Sequence, residues 1–423
     1  MPIENIVRPV ARIAGLRIAA SIVALCVAAP VLADCGIADG SVRVLSNDFE
    51  ALRVLNAAAM ECVTDGVTVT TNATTEHKTL QVPALTANPA EYTVAIVANN
   101  SIVPLLAGNL VRPLDDLVAA FGQDLDPSQL IKIDGKIMAV AFMANGQHLV
   151  MRSDILAQAG IDTPPTSWTG VIEAAEAIRS QGLMEFPLGA SNSAGWDLAA
   201  EFVNMYLGTG AEFFEPGTAT LAIDNDQGRL ALQTMRDLTA YMAADYLTYD
   251  TDVLAQIYRD GGVGLMNNWG SLAGALIDPE KAQPVVVEST VFAAAPTIGD
   301  GTIPAAALWW DGFTIAANVS DADAEASFRA MVHAISLDTA VNNPNAAVWL
   351  IPGSTPGAAA VGVIANANAG ARPYPMVPWM GLLHEVLGTE LADFIKGTED
   401  ADKALADIQA AYTAAAQQAG FLQ

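Results

Sequence analysis

Positive charge is scarce in this chain of 423 residues. The sequence has 19 Lys and Arg residues against 46 Asp and Glu residues, and its formal net charge at pH 7 is −27. A surface of this sign repels phosphate groups, so we expect binding neither to nucleic acid nor to an anionic membrane surface. Hydrophobic residues make up 52% of the chain and charged residues only 15%, which favours large buried cores over disorder.

Long hydrophobic segments are absent after residue 33, and the segment before it is short. Three arginines precede an apolar stretch over residues 18–29, and Ala33 then offers a small residue at a cleavage site. This order is typical of a secretory signal peptide over residues 1–33. An uncleaved anchor helix is the alternative, but the stretch is shorter than the ~20 residues that span a bilayer. We therefore expect export to the periplasm, with cleavage near Ala33.

Cysteine is nearly absent. Cys26 lies in the predicted signal peptide, so the exported chain keeps only Cys35 and Cys62. Cys35 precedes a predicted strand and Cys62 ends the helix after it, which brings both to the same edge of one strand–helix unit. An even pair in an oxidising compartment predicts a disulfide; two buried free thiols are the alternative.

The sequence signatures of catalysis are also missing. The chain contains neither G-x-S-x-G, which marks a serine nucleophile, nor the phosphate-binding pattern G-x-x-x-x-G-K-[ST]. Four histidines are too widely spaced for a zinc site: His77, His148, His333 and His384. We therefore predict no catalytic residue, no metal and no cofactor. Carboxylates are too numerous to dismiss by counting, so an exported enzyme acting on carbohydrate stays an alternative.

Short apolar segments alternate with amphipathic ones in the first part of the exported chain. Residues 42–45, 67–70 and 93–97 are typical of strands, and residues 49–62 of a helix between the first two. This alternation predicts a parallel sheet covered by helices, and the chain length predicts two domains. Ligands of such sheets bind beyond the carboxyl ends of the strands. Four polar residues follow strands in this way: Asn47, Asp48, Asn99 and Asn100. The alternative is that they are ordinary turn-forming residues.

The dipeptide Asn145-Gly146 separates two further strand-like segments, residues 137–142 and 147–151. Asn-Gly between strands is a common hairpin turn. A crossing of the chain from one domain to the other is the second interpretation, and the sequence alone leaves both open.

Several tryptophans lie beside turn-forming polar residues instead of inside apolar segments. They are Trp196, Trp269, Trp309, Trp310 and Trp379. Sugar rings stack their C–H faces on aromatic planes, while sugar hydroxyls hydrogen-bond with amides and carboxylates. Tryptophan next to Asn, Asp and Gly therefore indicates a carbohydrate site. A core anchor beneath a loop is the alternative for each of these residues.

Four segments of the chain carry a resemblance to a known family: residues 106–115, 134–168, 258–269 and 310–315. The second is the most specific, because it contains D-G-K and then A-G-I-D-T-P-P-T-S-W. Together they resemble the carbohydrate-binding class of periplasmic solute-binding proteins of ABC importers, the maltose-binding-protein-like class. The order of the segments agrees with that class, and the similarity spans nearly all of the exported chain.

The resemblance implies an α/β fold of the periplasmic binding protein type, similar to type II, with two discontinuous lobes around a hinge. The chain then crosses between lobes near residues 143–147, 309–312 and 354–358. The implied amino-terminal lobe contains residues 34–143 plus 312–355. The implied carboxyl-terminal lobe contains residues 144–311 plus 356–423.

The resemblance also implies a ligand-binding site between the lobes, where tryptophans stack on the ligand and Asp and Asn bind its hydroxyls. None of these residues is expected to be catalytic. The implied ligand-binding residues are Asn47, Asp48, His77, Asn100, Asn145, Trp196, Trp269, Trp310, Asp311 and Trp379.

The function implied is that of a monomeric receptor that captures a sugar or sugar alcohol and delivers it to the permease subunits of an ABC importer. The sequence departs from the class at three places. At one of them Arg152-Ser153 replaces an Asn-Lys pair. Ala141 replaces a proline, and Asp311 stands where the class usually has glycine. Because a carboxylate binds either hydroxyls or a positive charge, a polyamine or another cationic solute is the alternative ligand.

Overall fold

The structure, a computed structural model, describes residues 35–423. The predicted signal peptide therefore lies outside the described residues. The first half of the chain forms β1 (Gly40–Ser46), α1 (Glu50–Met60), β2 (Val67–Ala73), α2 (His77–Thr86), β3 (Val94–Ala98), α3 (Ile102–Ala107), α4 (Asp115–Phe121), β4 (Leu130–Ile133), β5 (Lys136–Asn145), β6 (Gln147–Arg152), α5 (Ser153–Gln158), α6 (Trp168–Ser180), β7 (Leu188–Gly189) and α7 (Trp196–Gly208).

The second half follows with further helices and short strands. They are α8 (Asp226–Thr239), α9 (Thr251–Arg259), β8 (Leu265–Trp269), α10 (Gly270–Leu276), α11 (Pro284–Ser289), β9 (Thr290–Ala293), β10 (Ala307–Ile315), α12 (Asp321–Ala334), α13 (Leu337–Asn342), β11 (Val348–Trp349), α14 (Val361–Asn368), β12 (Arg372–Pro373), α15 (Met380–Lys396) and α16 (Ala401–Gln418).

The larger sheet has the strand order β11-β5-β10-β3-β1-β2, with β4 beside β5 and β12 beside β10. Strand β1 pairs in parallel with both β2 and β3, as the alternation of strands and helices predicts. Strand β10 instead runs antiparallel to β3 and β5. Helices α1 and α12 pack on this sheet and share its hydrophobic core, which defines the first lobe.

The smaller sheet has the strand order β7-β8-β6-β9 and defines the second lobe. Its largest core is mostly helical, with buried residues from α6, α7, α8, α15 and α16. The α6 helix begins where Ser167 accepts a hydrogen bond from the backbone nitrogen of Gly170 at 3.1 Å, a cap that stabilises a first helical turn. The predicted α/β fold with two lobes is confirmed.

Asn145-Gly146 joins the two lobes and does not form a hairpin. Strand β5 pairs with β4, β10 and β11, while β6 pairs with β8 and β9. The side-chain oxygen of Asn145 accepts hydrogen bonds from the backbone nitrogens of Gly146 at 2.9 Å and Ser271 at 3.1 Å. These bonds hold the crossing in a fixed path, so the second interpretation of this dipeptide is correct.

Cys35 and Cys62 form the predicted disulfide. It ties the segment before β1 to the residues after α1, at the edge of the first lobe. Within residues 35–423, none of the helices has both the length and the apolar character that crossing a membrane requires.

Candidate functional site

A cavity of about 510 Å³ lies between the two lobes. The first lobe supplies residues that follow β1, begin α2 and end β3. The second lobe and the crossing strands supply the rest. The lining residues used below are Asn47, Asp48, Glu76, His77, Lys78, Asn145, Trp196, Asp197, Asp250, Asp252, Trp269, Trp309 and Asp311.

Seven of the ten ligand-binding residues expected from the sequence line this cavity. They are Asn47, Asp48, His77, Asn145, Trp196, Trp269 and Asp311. They come from sequence positions as far apart as 47 and 311, and the fold brings them to one place. Trp309, which the sequence analysis also singled out for its polar neighbours, lines the cavity as well.

Trp310 is not among the lining residues. Successive residues of a strand point to opposite faces, so Trp309 and Asp311 face the cavity while Trp310 faces away from it. Trp310 packs instead on a hydrophobic cluster of the first lobe. The structure therefore places Trp310 one position along β10 from the residues that line the cavity.

Asn100 and Trp379 also lie outside the cavity lining. The neighbour of Asn100, Asn99, is the residue that reaches the crossing: its side-chain oxygen accepts a hydrogen bond from the backbone nitrogen of Trp310 at 2.8 Å. Trp379 precedes α15 and packs edge-on against Phe214, with ring centroids 6.2 Å apart. Trp379 is thus the core anchor that the alternative interpretation described.

Three tryptophans form one corner of the cavity, which we call the tryptophan corner: Trp196, Trp269 and Trp309. Their ring centroids are 5.7–6.0 Å apart, and their planes are inclined to one another by 34–71°. Trp269 and Trp309 are only 8% and 7% exposed, whereas Trp196 is 37% exposed. Trp196 is therefore the open indole of the cavity, and the other two tryptophans support it.

The position of Trp196 depends on the glycine before it. Gly195 has a φ of +106°, a conformation that other residues rarely adopt, and it precedes the first residue of α7. The Gly195 backbone nitrogen donates a hydrogen bond to the carbonyl oxygen of Gly388, and a Cβ atom on Gly388 would come within 2.5 Å of the Gly195 oxygen. The amino-terminal end of α7 is consequently fixed against α15.

Two carboxylates lie beside the tryptophan corner. Burial raises the pKa of Asp311 to about 7, although the positive charge of Lys78 opposes the shift. Burial also raises the pKa of Asp197, against the effect of hydrogen bonds from the hydroxyls of Ser193 at 2.8 Å and Thr251 at 3.1 Å. Both groups are placed to accept hydrogen bonds from ligand hydroxyls.

Lys78 was not found by the sequence analysis. Its side chain projects into the open cavity and keeps contact with water, and its ammonium lies 4.6 Å from the ring centroid of Trp196. The surrounding protein partly desolvates this ammonium and lowers the pKa of Lys78 to about 8, although the charges of Asp311 and Asp197 oppose the shift. The only sequence signal was its position next to the predicted His77.

His77 begins α2 and is buried at the cavity wall. Burial lowers its pKa to about 4, and the charge of Lys78 acts in the same direction. The imidazole is therefore neutral at physiological pH and offers a hydrogen-bonding group without charge.

A buried polar network lies under the crossing strands. The side-chain oxygen of Gln147 accepts hydrogen bonds from the amides of Asn204 at 2.8 Å and Asn267 at 2.5 Å, and the oxygen of Asn204 accepts one from the backbone nitrogen of Ala307. Burial raises the pKa of the adjacent Glu201 to about 8, so this carboxyl is protonated at neutral pH. The network joins the start of β6 to the start of β10.

A sequence model of the family described as bacterial extracellular solute-binding protein matches residues 58–336. The chain belongs to this family. Its members bind solutes for transport, and the two-lobe fold with an interlobe cavity is in keeping with that role. A probable ABC transporter-binding protein of Deinococcus radiodurans is 24% identical over 194 residues, which cover 44% of this chain and 44% of that protein.

Solved structures similar to this chain include solute-binding proteins with different carbohydrates bound. Maltose-bound MalE3 of T. maritima has a TM-score of 0.74 at 19% identity, over 88% of this chain and 99% of that one. A solute-binding protein of Agrobacterium vitis S4 with bound D-mannitol has a TM-score of 0.73 at 19% identity, over 91% and 100%. One of Agrobacterium radiobacter K84 in complex with ribitol has a TM-score of 0.74 at 18% identity, over 88% and 98%. These similarities establish the fold.

Proposed function

We propose that this protein is an exported receptor that captures a sugar or sugar alcohol between its lobes and delivers it to the permease subunits of an ABC importer. The observation that carries the proposal is the tryptophan corner in an interlobe cavity, with carboxylate and amide groups beside it. Maltose, D-mannitol and ribitol are the ligands of the similar structures. A monomer that binds and releases its ligand unchanged fits this role.

Each group in the cavity has a proposed part in binding. Trp196 stacks on the apolar face of the ligand, and Trp269 and Trp309 hold it in place. Asp311 and Asp197 accept hydrogen bonds from ligand hydroxyls. Asn145 contributes its amide nitrogen, which makes no hydrogen bond within residues 35–423, while its oxygen is held by the backbone.

Closure of the lobes is the proposed means of trapping the ligand. The proposed lobes are residues 34–143 plus 312–355 and residues 144–311 plus 356–423. The distribution of the cores supports these boundaries: Met143 and Phe313 belong to the core of the first lobe, while Leu149 and Trp309 belong to that of the second. Because the ligand contacts both lobes, its binding favours the closed form.

Export and delivery complete the proposal. Residues 1–33 act as the signal peptide, and the exported chain works in the periplasm. The acidic surface keeps the protein soluble and away from anionic lipid.

A cationic ligand is the second candidate, because Asp197 and Asp311 lie beside the open tryptophan. A polyamine would pair with such carboxylates and stack on the indole of Trp196. The observation against it is that the ammonium of Lys78 already occupies that position.

A ligand panel tests the proposed function. The exported chain is purified, unfolded and refolded to remove any ligand carried through purification, and titrated calorimetrically with maltose, D-mannitol, ribitol, D-tagatose, putrescine and spermidine. We expect one neutral compound to bind, and a thermal shift corresponding to ~2.7 kcal/mol at one hundred times its Kd. Binding of the polyamines alone would replace the proposal with the second candidate. Turnover of a bound sugar would identify an enzyme instead.

A further inference from the structure

Lys78 lies against Trp196, the most exposed of the three tryptophans that line the cavity. We propose that Lys78 is a specificity-determining residue: a tethered cation that fills the recognition site for positive charge, so that the cavity rejects free cationic solutes and accepts neutral polyhydroxylated ones. This inference rests on the proposed function and adds the reason for its ligand class.

The ammonium of Lys78 lies in the position that a bound cation would take. A cation is attracted to the face of an aromatic ring within about 6 Å of its centroid, and tryptophan binds cations best. Lys78 lies 4.6 Å from the centroid of Trp196, inside that limit. Trp269 and Trp309 are almost fully buried, so Trp196 offers the most open indole face of the cavity, and Phe49, which is half-buried, is the other Phe, Tyr or Trp side chain among the described lining residues.

Negative charge predominates around the cavity. Lys78 is the single Lys or Arg among the described lining residues of the cavity. Six carboxylates line the same cavity: Asp48, Glu76, Asp197, Asp250, Asp252 and Asp311. The exposed Asp48 pairs with Arg53 at 2.7 Å, outside this lining. Without Lys78, the tryptophan corner would adjoin Asp197 and Asp311 with no positive charge to balance them. Aromatic faces attract organic cations, and a nearby carboxylate adds Coulomb attraction for the same positive charge.

Lys78 and the two nearby carboxylates keep hydrogen-bonding capacity for a ligand. Across residues 35–423, Lys78 forms no ion pair within 4.0 Å, so Asp311 and Asp197 act on it from a greater distance. A hydroxyl group placed between them accepts a hydrogen bond from the ammonium and donates one to a carboxylate. A polyol provides both functions in each hydroxyl. An alkylammonium ion provides only donors or none, and the like charge of Lys78 repels it.

Lys78 also links the lobes. It belongs to α2 of the first lobe, whereas Trp196 begins α7 of the second. A ligand that stacks on Trp196 therefore has to displace the ammonium from the ring while keeping it as a donor at the ligand edge. Neutral oxygen-rich ligands allow this exchange, and cations do not.

The test compares cation binding in variants of Lys78. Lys78→Met removes the charge at nearly constant length, Lys78→Gln removes it while staying polar, and Lys78→Arg keeps it. Lys136→Met is the matched control, since Lys136 is exposed at the start of β5 and outside the cavity. Each exported chain is titrated calorimetrically at pH 7 with tetramethylammonium, with putrescine and with the neutral panel, after its melting curve confirms folding.

We expect Lys78→Met and Lys78→Gln to bind tetramethylammonium or putrescine at least ten times more tightly than the wild type, and Lys78→Arg and Lys136→Met to resemble the wild type. Unchanged cation affinity in both folded neutral variants would overturn the inference, as would wild-type cation binding as tight as theirs. The neutral panel on the wild type decides the proposed function separately. If no neutral compound binds the wild type while the variants gain cation binding, the proposal of a sugar ligand is rejected. The role of Lys78 in excluding cations would then still stand.

Discussion

Nε2 of His384 lies 3.0 Å from the carbonyl oxygen of Trp196, and the two rings are 5.0 Å apart. Burial lowers the pKa of His384 to about 4, so the imidazole is neutral at physiological pH. Because the carbonyl can only accept, Nε2 carries the proton, and Nδ1 accepts from the hydroxyl of Tyr374 at 3.2 Å. His384, on α15, thus supports Trp196 through a hydrogen bond to its carbonyl oxygen and a contact with its ring.

Loss of this support should weaken ligand binding without removing any group that contacts the ligand. We expect His384→Leu to raise the Kd of the neutral ligand about ten-fold, because a hydrogen bond worth ~1 kcal/mol and the ring contact both disappear. Calorimetric titration measures the change. Tyr374→Phe, which removes only the partner of Nδ1, serves as the control and should change the Kd much less. Equal affinities in the wild type and His384→Leu would contradict the role of His384.

The two tryptophans Trp196 and Trp379 provide a matched pair for the binding site. Trp196→Ala removes the exposed stacking surface, and we expect it to raise the Kd by a hundred-fold or more with little loss of stability. Trp379→Ala removes a ring that packs against Phe214 and Phe421, and we expect it to lower the melting temperature while leaving the Kd nearly unchanged. Titration and thermal unfolding of both variants check this. A large rise in Kd for Trp379→Ala and none for Trp196→Ala would indicate that the ligand binds beside α15 instead.

Local composition predicted much of the site. Trp196, Trp269 and Asp311 each stand next to turn-forming residues, and such residues cluster where strands and helices end at a cleft. The parallel arrangement of β1, β2 and β3 was equally visible, because buried β-branched segments alternate with an amphipathic helix. These features depend on neighbours in the sequence, which a sequence analysis can see.

The differences between the expected and the observed lining residues have another physical origin. Trp309 and Trp310 have the same local composition, and only the pairing of β10 with β5 decides which of them faces the cavity. The register of β10 against β5 also shifts at a bulge between Asp311 and Gly312. The two strands approach closely there: a Cβ atom at Gly312 would lie 2.6 Å from the carbonyl oxygen of Val140. Lys78 was missed because its partners, Trp196 and Asp311, are more than one hundred residues away in the sequence.

Ligand affinity should depend on pH through Asp311 and Lys78. The pKa of Asp311 is raised to about 7 and that of Lys78 is lowered to about 8. The carboxylate accepts best when ionised, so affinity rises as the pH increases towards 7. The ammonium donates best when protonated, so affinity falls above pH 8. His77 and His384, with pKa values near 4, stay neutral throughout this range.

We therefore expect the affinity for the neutral ligand to be highest between pH 7 and 8, measured by titration from pH 5.5 to 9.5. Asp311→Asn should remove the decline on the acid side, and Lys78→Met the decline on the alkaline side. A flat profile in the wild type would show that neither group contacts the ligand.

Glu201 should make folding stability depend on pH in the opposite sense to the buried histidines. Its pKa is raised to about 8 by burial, with the charge of Asp197 adding to the effect, whereas in the unfolded chain it lies near ~4.3. The unfolded form therefore loses this proton from about pH 4 upwards while the folded form keeps it, so the contribution of Glu201 to stability declines as the pH rises towards 8. Histidines with lowered pKa values, such as His148, destabilise the fold only as the pH falls below about 6.5.

Glu201→Gln separates the two effects, because it keeps the size of the side chain and has no proton to lose. Denaturant unfolding should give nearly equal free energies for variant and wild type at about pH 4, and a variant more stable by ~5 kcal/mol at about pH 8.5. Contributions of the histidines cancel in this comparison, since both proteins contain them. The exposed Glu173→Gln is the control and should show no such difference. If Glu201→Gln is less stable at both pH values, the carboxylate is ionised in the folded protein and the network around Gln147 requires its charge.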